Sequence, residues 1–266
     1  MKPVKIVSIA NQKGGVAKTT TAINLAACLA RMDKKVLIVD LDPQGNASTG
    51  LGIPQDERGT TVYDLILGDA SAKDAIKPTR SENLFIIPST TELSSSDVQL
   101  INVNKRSFLL RDSLRSAEMA RETFDYVLID CPPSLNLLTV NALVASDSVL
   151  IPLQSEFFAL EGLSQLMLTI REVRQTANTT LRIEGILLTM HDTRNKLSQQ
   201  VEVDARENLG DLVYKTAIPR NVRLSEAPSH AMAAIDYDPL SKGAVSYMDF
   251  AREFLELNEA QIGRAQ

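Results

Sequence analysis

The apolar run Val4 to Ala10 leads directly into Asn11-Gln12-Lys13-Gly14-Gly15-Val16-Ala17-Lys18-Thr19-Thr20-Thr21, and a helix-forming stretch follows at once. No other feature of the chain restricts its fold so tightly. A buried strand, a glycine loop and a helix start, in that order, turn backbone N–H groups inward around an anion and aim the positive helix end at the same point. Gly-Gly alone would read as a capped turn. The strand, Gly-Gly-x-x-Lys-Thr-Thr and the helix together read as a phosphate-binding loop for a nucleoside triphosphate. Gly14, Gly15, Val16, Ala17, Lys18, Thr19 and Thr20 then form the cradle. Lys18 reaches the β- and γ-phosphates, and the Thr19 hydroxyl ligates Mg²⁺.

The rest of the chain repeats the alternation. Short apolar runs at 4–10, 35–40, 84–88, 126–130, 148–153, 183–190 and 212–218 read as strands. Amphipathic stretches at 18–31, 107–121, 136–145, 159–177, 196–209 and 240–257 read as helices. Strands rich in Val, Ile and Leu between helices predict an α/β fold: a mostly parallel twisted sheet with helices on both faces, of the P-loop NTPase type. Segment 51–106 is the least regular, and no linker or repeat divides the chain, so residues 1–266 are expected to form one domain. Hydrophobic residues at 44% suffice for its core. No apolar run approaches the ~20 residues of a membrane span. The chain enters a strand with no signal-peptide pattern, and Cys28 and Cys131 lack metal-ligand spacing, which points to a cytoplasmic protein. The net charge of −5 argues mildly against a nucleic-acid partner.

The phosphate loop is not an ordinary one. Where G-x-x-x-x-G-K-[ST] has its first glycine, this chain has Gln12, and it matches K-G-G-x-x-K-T-T, the deviant Walker A pattern. In this it resembles the ParA/MinD group of P-loop ATPases, which also includes the nitrogenase iron protein and the arsenite-pump ATPase. The resemblance implies that Lys13 reaches across a dimer interface to the phosphates held by a partner subunit. A cation supplied in trans acts there as an arginine finger does. One residue departs from the group, which usually has Gly just before the catalytic lysine; here it is Ala17. A Cβ at a position needing positive φ costs roughly 1–2 kcal/mol. Weaker or slower nucleotide use is therefore expected.

Two further acidic motifs surround this loop. The second strand ends in Asp40-Leu41-Asp42-Pro43-Gln44-Gly45-Asn46, and acids at a strand's C-terminal end beside a P-loop lie where Mg²⁺ and the attacking water must be. By the resemblance, Asp42 orients or activates that water and Asp40 supports the metal shell. Tyr126-Val127-Leu128-Ile129-Asp130 is the Walker B arrangement, with Asp130 holding Mg²⁺ and Pro132-Pro133 breaking the strand. In relatives the loop Ile218-Pro219-Arg220-Asn221 packs on the adenine, Pro219 on the ring and Asn221 at its edge; from sequence alone it is a turn. The same holds for Glu156, whose region lies near the nucleotide at the interface of dimeric relatives.

The resemblance is strongest to the chromosomal ParA (Soj) branch. It is carried by Ser134 to Ala142, by Phe157-Phe158-Ala159-Leu160-Glu161-Gly162-Leu163 and by Ile218 to Ser229. That branch implies an ATP-dependent homodimer on nucleoid double-stranded DNA, without sequence preference, whose hydrolysis a ParB-type centromere-binding protein stimulates. Residues 190–245 hold seven Lys or Arg against eight Asp or Glu, so any DNA face must be assembled in space. Arg194, Arg223 and Lys242 are the candidates, though each also reads as a solvated surface charge. Three per subunit make six per dimer and a log–log salt slope near about −5. A nucleotide-gated scaffold with little turnover is the alternative. A MinD-type membrane ATPase fits less well, because the C-terminal stretch Phe254 to Gln266 lacks a basic flank.

Overall fold

A computed structural model describes residues 4–156 and 159–265, leaving Phe157 and Phe158 outside the described residues. The strands are β1 (Lys5–Ile9), β2 (Val36–Asp40), β3 (Lys77–Pro78), β4 (Leu84–Ile87), β5 (Tyr126–Asp130), β6 (Ser148–Gln154) and β7 (Arg182–Thr189). The first six helices are α1 (Lys18–Arg31), α2 (Asn46–Gly50), α3 (Val62–Leu67), α4 (Ala72–Ala75), α5 (Ser96–Gln99) and α6 (Leu109–Leu114). The remainder are α7 (Leu137–Ala145), α8 (Ala159–Thr176), α9 (Lys196–Leu209), α10 (Val222–Glu226), α11 (Ala234–Tyr237) and α12 (Lys242–Ala265).

Among the described residues all strands but one run parallel, in the order β3-β4-β2-β5-β1-β6-β7, and the two-residue β3 is antiparallel to its neighbour. The sheet is covered on both faces, as the apolar strand runs predict. Side chains alternate between two cores. Ile6, Leu37, Val39, Val127 and Ile129 face one together with Leu110 of α6, Leu138 of α7 and Leu166 of α8. Val7, Val36, Ile38, Tyr126 and Leu128 face the other together with Leu25 of α1 and Phe250 of α12. The small Ala22, Ala26 and Ala30 let α1 lie under α12, where Tyr247 sets its hydroxyl 3.0 Å from Thr21 Oγ1.

Three expectations need correction. Residues 212–218 form no strand, only an isolated bridge between Val213 and Ile186. Their backbone is drawn elsewhere: the Glu253 carboxylate on α12 accepts the N–H groups of Lys215 and Thr216 at 2.7 and 2.9 Å. The helix expected over 107–121 is broken. The Ser116 hydroxyl accepts the Met119 N–H at 3.3 Å and starts a separate turn at Met119–Glu122, since a serine offers the backbone a local alternative to the helix. The last helix continues past 257 to Ala265.

The parallel order matters for the site. β1 lies between β5 and β6, and β5 lies between β1 and β2. The C-terminal ends of β1, β2 and β5 therefore come side by side, where an open α/β sheet holds its ligand.

Candidate functional site

The loop from Ala10 to Ala17 is tied down on both sides before any ligand arrives. Asn11 Nδ2 donates to the Pro152 carbonyl at 2.8 Å, and Asn11 Oδ1 accepts the Lys13 N–H at 3.0 Å. Thr189 Oγ1, at the end of β7, donates to the Val16 carbonyl at 3.1 Å. The glycines leave the inner face free: a Cβ on Gly14 or Gly15 would meet nothing within 4 Å. Gly15 has φ +76° and Ala17 has φ 68° and ψ 32°, so the alanine does occupy the left-handed region. Ala17 is also the residue that starts α1, and it supplies no side-chain cap. Thr20 is half-buried, and its carbonyl accepts Asn24 Nδ2.

Lys18 is buried, and its ammonium donates to the Lys13 carbonyl at 3.0 Å. Burial lowers its pKa, while the nearby Asp130, Cys131 and Asp42 act in the other direction. The two lysines of the loop thus have different surroundings. Lys13 is part-exposed, and its Nζ sits 3.0 Å from Glu156 Oε2 of the same subunit, while Gln154 Nε2 holds the other carboxylate oxygen at 2.6 Å. An exposed pair of this kind contributes about 0–1 kcal/mol, which leaves Lys13 easily redirected.

Sheet register places Asp40 opposite Asp130. Asp40 is wholly buried and well bonded: Oδ2 accepts the N–H and hydroxyl of Ser48 at 2.8 and 2.7 Å, and Oδ1 accepts the Asp42 N–H at 3.3 Å. Burial still pushes its pKa up to about 6. Asp130 differs. Both its carboxylate oxygens are buried and lack a well-formed hydrogen bond among the described residues, the Thr19 hydroxyl being the donor that faces them. Burial and then the Asp40 charge raise its pKa well above the ordinary range, against smaller opposing effects of Thr19 and Lys18. Asp42 is nearly buried, its Oδ1 accepting the Gln44 N–H at 3.0 Å. An orphaned carboxylate beside a threonine hydroxyl and a lysine suits a hard cation. No cluster of three or more metal-ligating side chains exists among the described residues. Mg²⁺ is ordinarily held by one or two carboxylates together with substrate phosphates and waters. Cys131, adjacent to Asp130, is buried with its thiol pushed up, and burial raises Cys28 to about 12, so neither is a thiolate.

The expected adenine loop lies on the same side of the sheet. Ile218 donates its N–H to the Leu188 carbonyl at 2.8 Å, and Pro219 bridges to His191, next to the Thr189 that holds the phosphate loop. Asn221 has a structural task as well: its Oδ1 accepts the Arg223 N–H at 2.9 Å and caps α10. A cavity of about 530 Å³ lies at the other end of the sheet, among Arg31, Asp33, Arg80 and Asp236, and shares none of these residues.

The three candidate DNA residues fall on one flank. The loop bearing Arg194 touches the loop bearing Asn221, where Arg220 N–H donates to the His191 carbonyl, and α10 packs on α12. The arginines are not free. Arg194 pairs with Asp192 at 3.1 Å, and Arg223 with Glu226 at 2.7 Å and Asp238 at 3.2 Å. Lys242 has no ion pair among the described residues, and the same is true of Lys196 and Arg220, two exposed cations on this flank that sequence reasoning passed over. No spacing distinguishes them in the sequence. Asn11 and Thr189 carry no local signal either, since they hold the phosphate loop through contacts distant in sequence.

Comparison with known proteins agrees with this geometry. Residues 4–183 match the AAA domain family. The chain is 54% identical over 249 residues to the sporulation initiation inhibitor protein Soj of Bacillus subtilis, covering 94% of this chain and 97% of that one. It is 52% identical over 263 residues to the chromosome partitioning protein ParA of Caulobacter vibrioides, covering 99% and 98%. Among solved structures, cobyrinic acid a,c-diamide synthase of Mycobacterium smegmatis with a bound ATP analogue and magnesium superposes with a TM-score of 0.83 at 34% identity, covering 97% of both chains.

Proposed function

The chain belongs to the ParA/Soj family of chromosome-partitioning ATPases, and from that premise we propose how its own residues bind and hydrolyse ATP and couple hydrolysis to DNA. The observation that carries the reading is the buried, under-bonded Asp130 carboxylate facing Thr19 and Lys18, at the mouth of a loop whose glycine face is open. Lys18 leaves the Lys13 carbonyl for the phosphates, and the N–H groups of Gly14 to Thr19 surround them. Thr19 and Asp130 are the residues that would hold Mg²⁺, which would supply positive charge against the charge developing on the transferred phosphoryl group. Asp40 sustains that shell through its fixed carboxylate.

Asp42 accepts a hydrogen bond from the attacking water and directs its oxygen at the γ-phosphorus as the bond to ADP breaks. Lys13 exchanges Glu156 for the phosphates of a second subunit, so ATP holds two copies together. Pro219 and Asn221 receive the adenine. Arg194, Arg223 and Lys242 of both subunits meet DNA phosphates, contacts that position the protein without reading sequence. A ParB-type protein stimulates hydrolysis and release, which places the protein on the nucleoid in the cytoplasm.

Light scattering of the purified protein with no nucleotide, ADP and ATP, repeated for Asp42→Ala, tests this reading. ATP alone should give a dimer, and Asp42→Ala should keep the dimer and its DNA binding while hydrolysis falls. Unchanged turnover in Asp42→Ala would assign the water to another group.

A further inference from the structure

Arg58 lies in the irregular segment after α2, yet it is only 5% exposed. Its guanidinium donates in three directions. Nη1 reaches the Ser89 carbonyl at 2.7 Å, Nη2 reaches Thr49 Oγ1 at 2.8 Å and the Gly45 carbonyl at 3.2 Å, and Nε reaches the Ile53 carbonyl at 3.3 Å. None of these acceptors is a carboxylate, and Arg58 has no ion pair among the described residues. A buried cation without a counter-charge is a costly way to fill space, and an apolar side chain would do that better. What the guanidinium supplies is a fixed fork joining three separate backbone segments.

The central segment is the one that carries Asp42. Gly45 donates its N–H to the Asp42 carbonyl at 2.9 Å and closes a tight turn, within which Asp42 Oδ1 accepts the Gln44 N–H. Gly45 has φ +63°, and a Cβ there would lie 2.1 Å from Arg58 Nη1. Thr49 Oγ1 donates to the Gly45 carbonyl at 3.1 Å, so threonine and arginine grip the same oxygen. A second tie runs in parallel: Ser89 N–H donates to Ser48 Oγ at 3.1 Å, and Ser48 binds Asp40. The Asp42 turn is thereby fastened to the end of β4.

We infer that Arg58 is a positioning residue for hydrolysis, holding the Asp42–Gly45 turn against Ser89 so that the Asp42 carboxylate is aimed before ATP arrives. The inference rests on the role of Asp42 given above. Arg58 touches neither nucleotide loop nor metal ligand, so it governs turnover rather than ATP binding. The fork matters and the charge alone does not: lysine has three donors at one point and cannot span Ser89, Gly45 and Thr49 together.

Single-turnover hydrolysis of labelled ATP in the presence of DNA tests this with Arg58→Lys, Thr49→Val, Asp42→Ala and the double variant Arg58→Lys with Asp42→Ala. Arg58→Lys should lower the rate about tenfold, because misplacement of a reacting group by ~1 Å can cost up to about a hundredfold. ATP affinity should stay within about twofold, and the ATP-dependent dimer should persist. Thr49→Val loosens the same turn while leaving Arg58 in place, and should give a severalfold loss even if Arg58→Lys folds poorly. The double variant should be no slower than Asp42→Ala, since both act through one carboxylate. Melting shifts without a rate change in the single variants would make Arg58 a structural residue only. Additive losses in the double variant would show that it acts elsewhere. Normal turnover in Asp42→Ala would remove the assigned role of Asp42 and this inference with it, whereas a rate loss confined to Asp42→Ala would remove only the inference.

Discussion

Ala17 gives the most direct test of the site, because its cost is readable from one dihedral angle. Its φ of 68° puts a methyl-bearing residue in the left-handed region at the start of α1. That conformation costs an L-residue roughly 1–2 kcal/mol. Ala17→Gly relieves this strain but frees the unfolded chain, which returns about 0.4–1 kcal/mol. The backbone bonds are unaffected, since the Ala17 carbonyl still accepts the Thr21 N–H at 2.9 Å. The balance is a gain of about 0.5–1 kcal/mol, or a melting temperature higher by roughly 1–4 °C for a domain of this size. The same methyl stands at the phosphate nest, next to Lys18. If its strain deepens by about 1 kcal/mol when the loop closes, Ala17→Gly binds ATP about fivefold more tightly. Calorimetric melting without nucleotide and titration with ATP and Mg²⁺ measure the two effects separately. A variant that melts below wild type, with ATP affinity unchanged, refutes the strain argument altogether.

Lys13→Ala should retain ATP binding through Lys18 and Thr19 yet stay monomeric by light scattering. Glu156→Gln should dimerise at lower ATP concentration, because Lys13 no longer has a carboxylate 3.0 Å away to leave. For DNA, the ion pairs of Arg194 and Arg223 set the direction. Asp192→Asn and Glu226→Gln should each tighten ATP-dependent binding severalfold at low salt, and Arg194→Ala or Arg223→Ala should lower the salt slope by less than the ~2 units that two unpaired copies would contribute. Fluorescence anisotropy across a salt series reads both. Asp40 should make the apo protein pH-sensitive. Its folded pKa of about 6 lies above the ordinary 3.8, so its stabilising contribution is complete below 3.8 and is lost as pH rises through about 6. The stability of wild type relative to Asp40→Asn should fall over that window, measured by denaturant unfolding from pH 4 to 7.

Much of the candidate site is legible in the sequence. The phosphate loop, Asp42 and Asp130 are marked by local order in the chain: an apolar strand, then glycine, lysine or aspartate at a fixed offset. The ends of β1, β2, β4, β5, β6 and β7 follow the predicted bounds to within a residue, because period and side-chain branching are properties of short segments, whereas the two-residue β3 has no such signal. Where local signals compete, the reading fails. Residues 212–218 have the composition of a strand, but a carboxylate from α12, far along the chain, takes two of their N–H groups.

The sequence by itself determined that a triphosphate-binding loop is followed by a parallel sheet, that acids end two of its strands, and that the loop carries a second lysine. Only the tertiary structure decided how those pieces meet. Strand order, which no local pattern encodes, brought Asp40 against Asp130 and left the first held by three hydrogen bonds and the second buried beside Thr19 and Lys18. The same holds for Lys13 with Glu156, Arg58 with Ser89, and Asn11 with Pro152, pairs far apart along the chain. Charge and hydrogen-bonding capacity are properties of a residue type, but a partner is a matter of position. Position depends on the packing of the whole chain around its two cores.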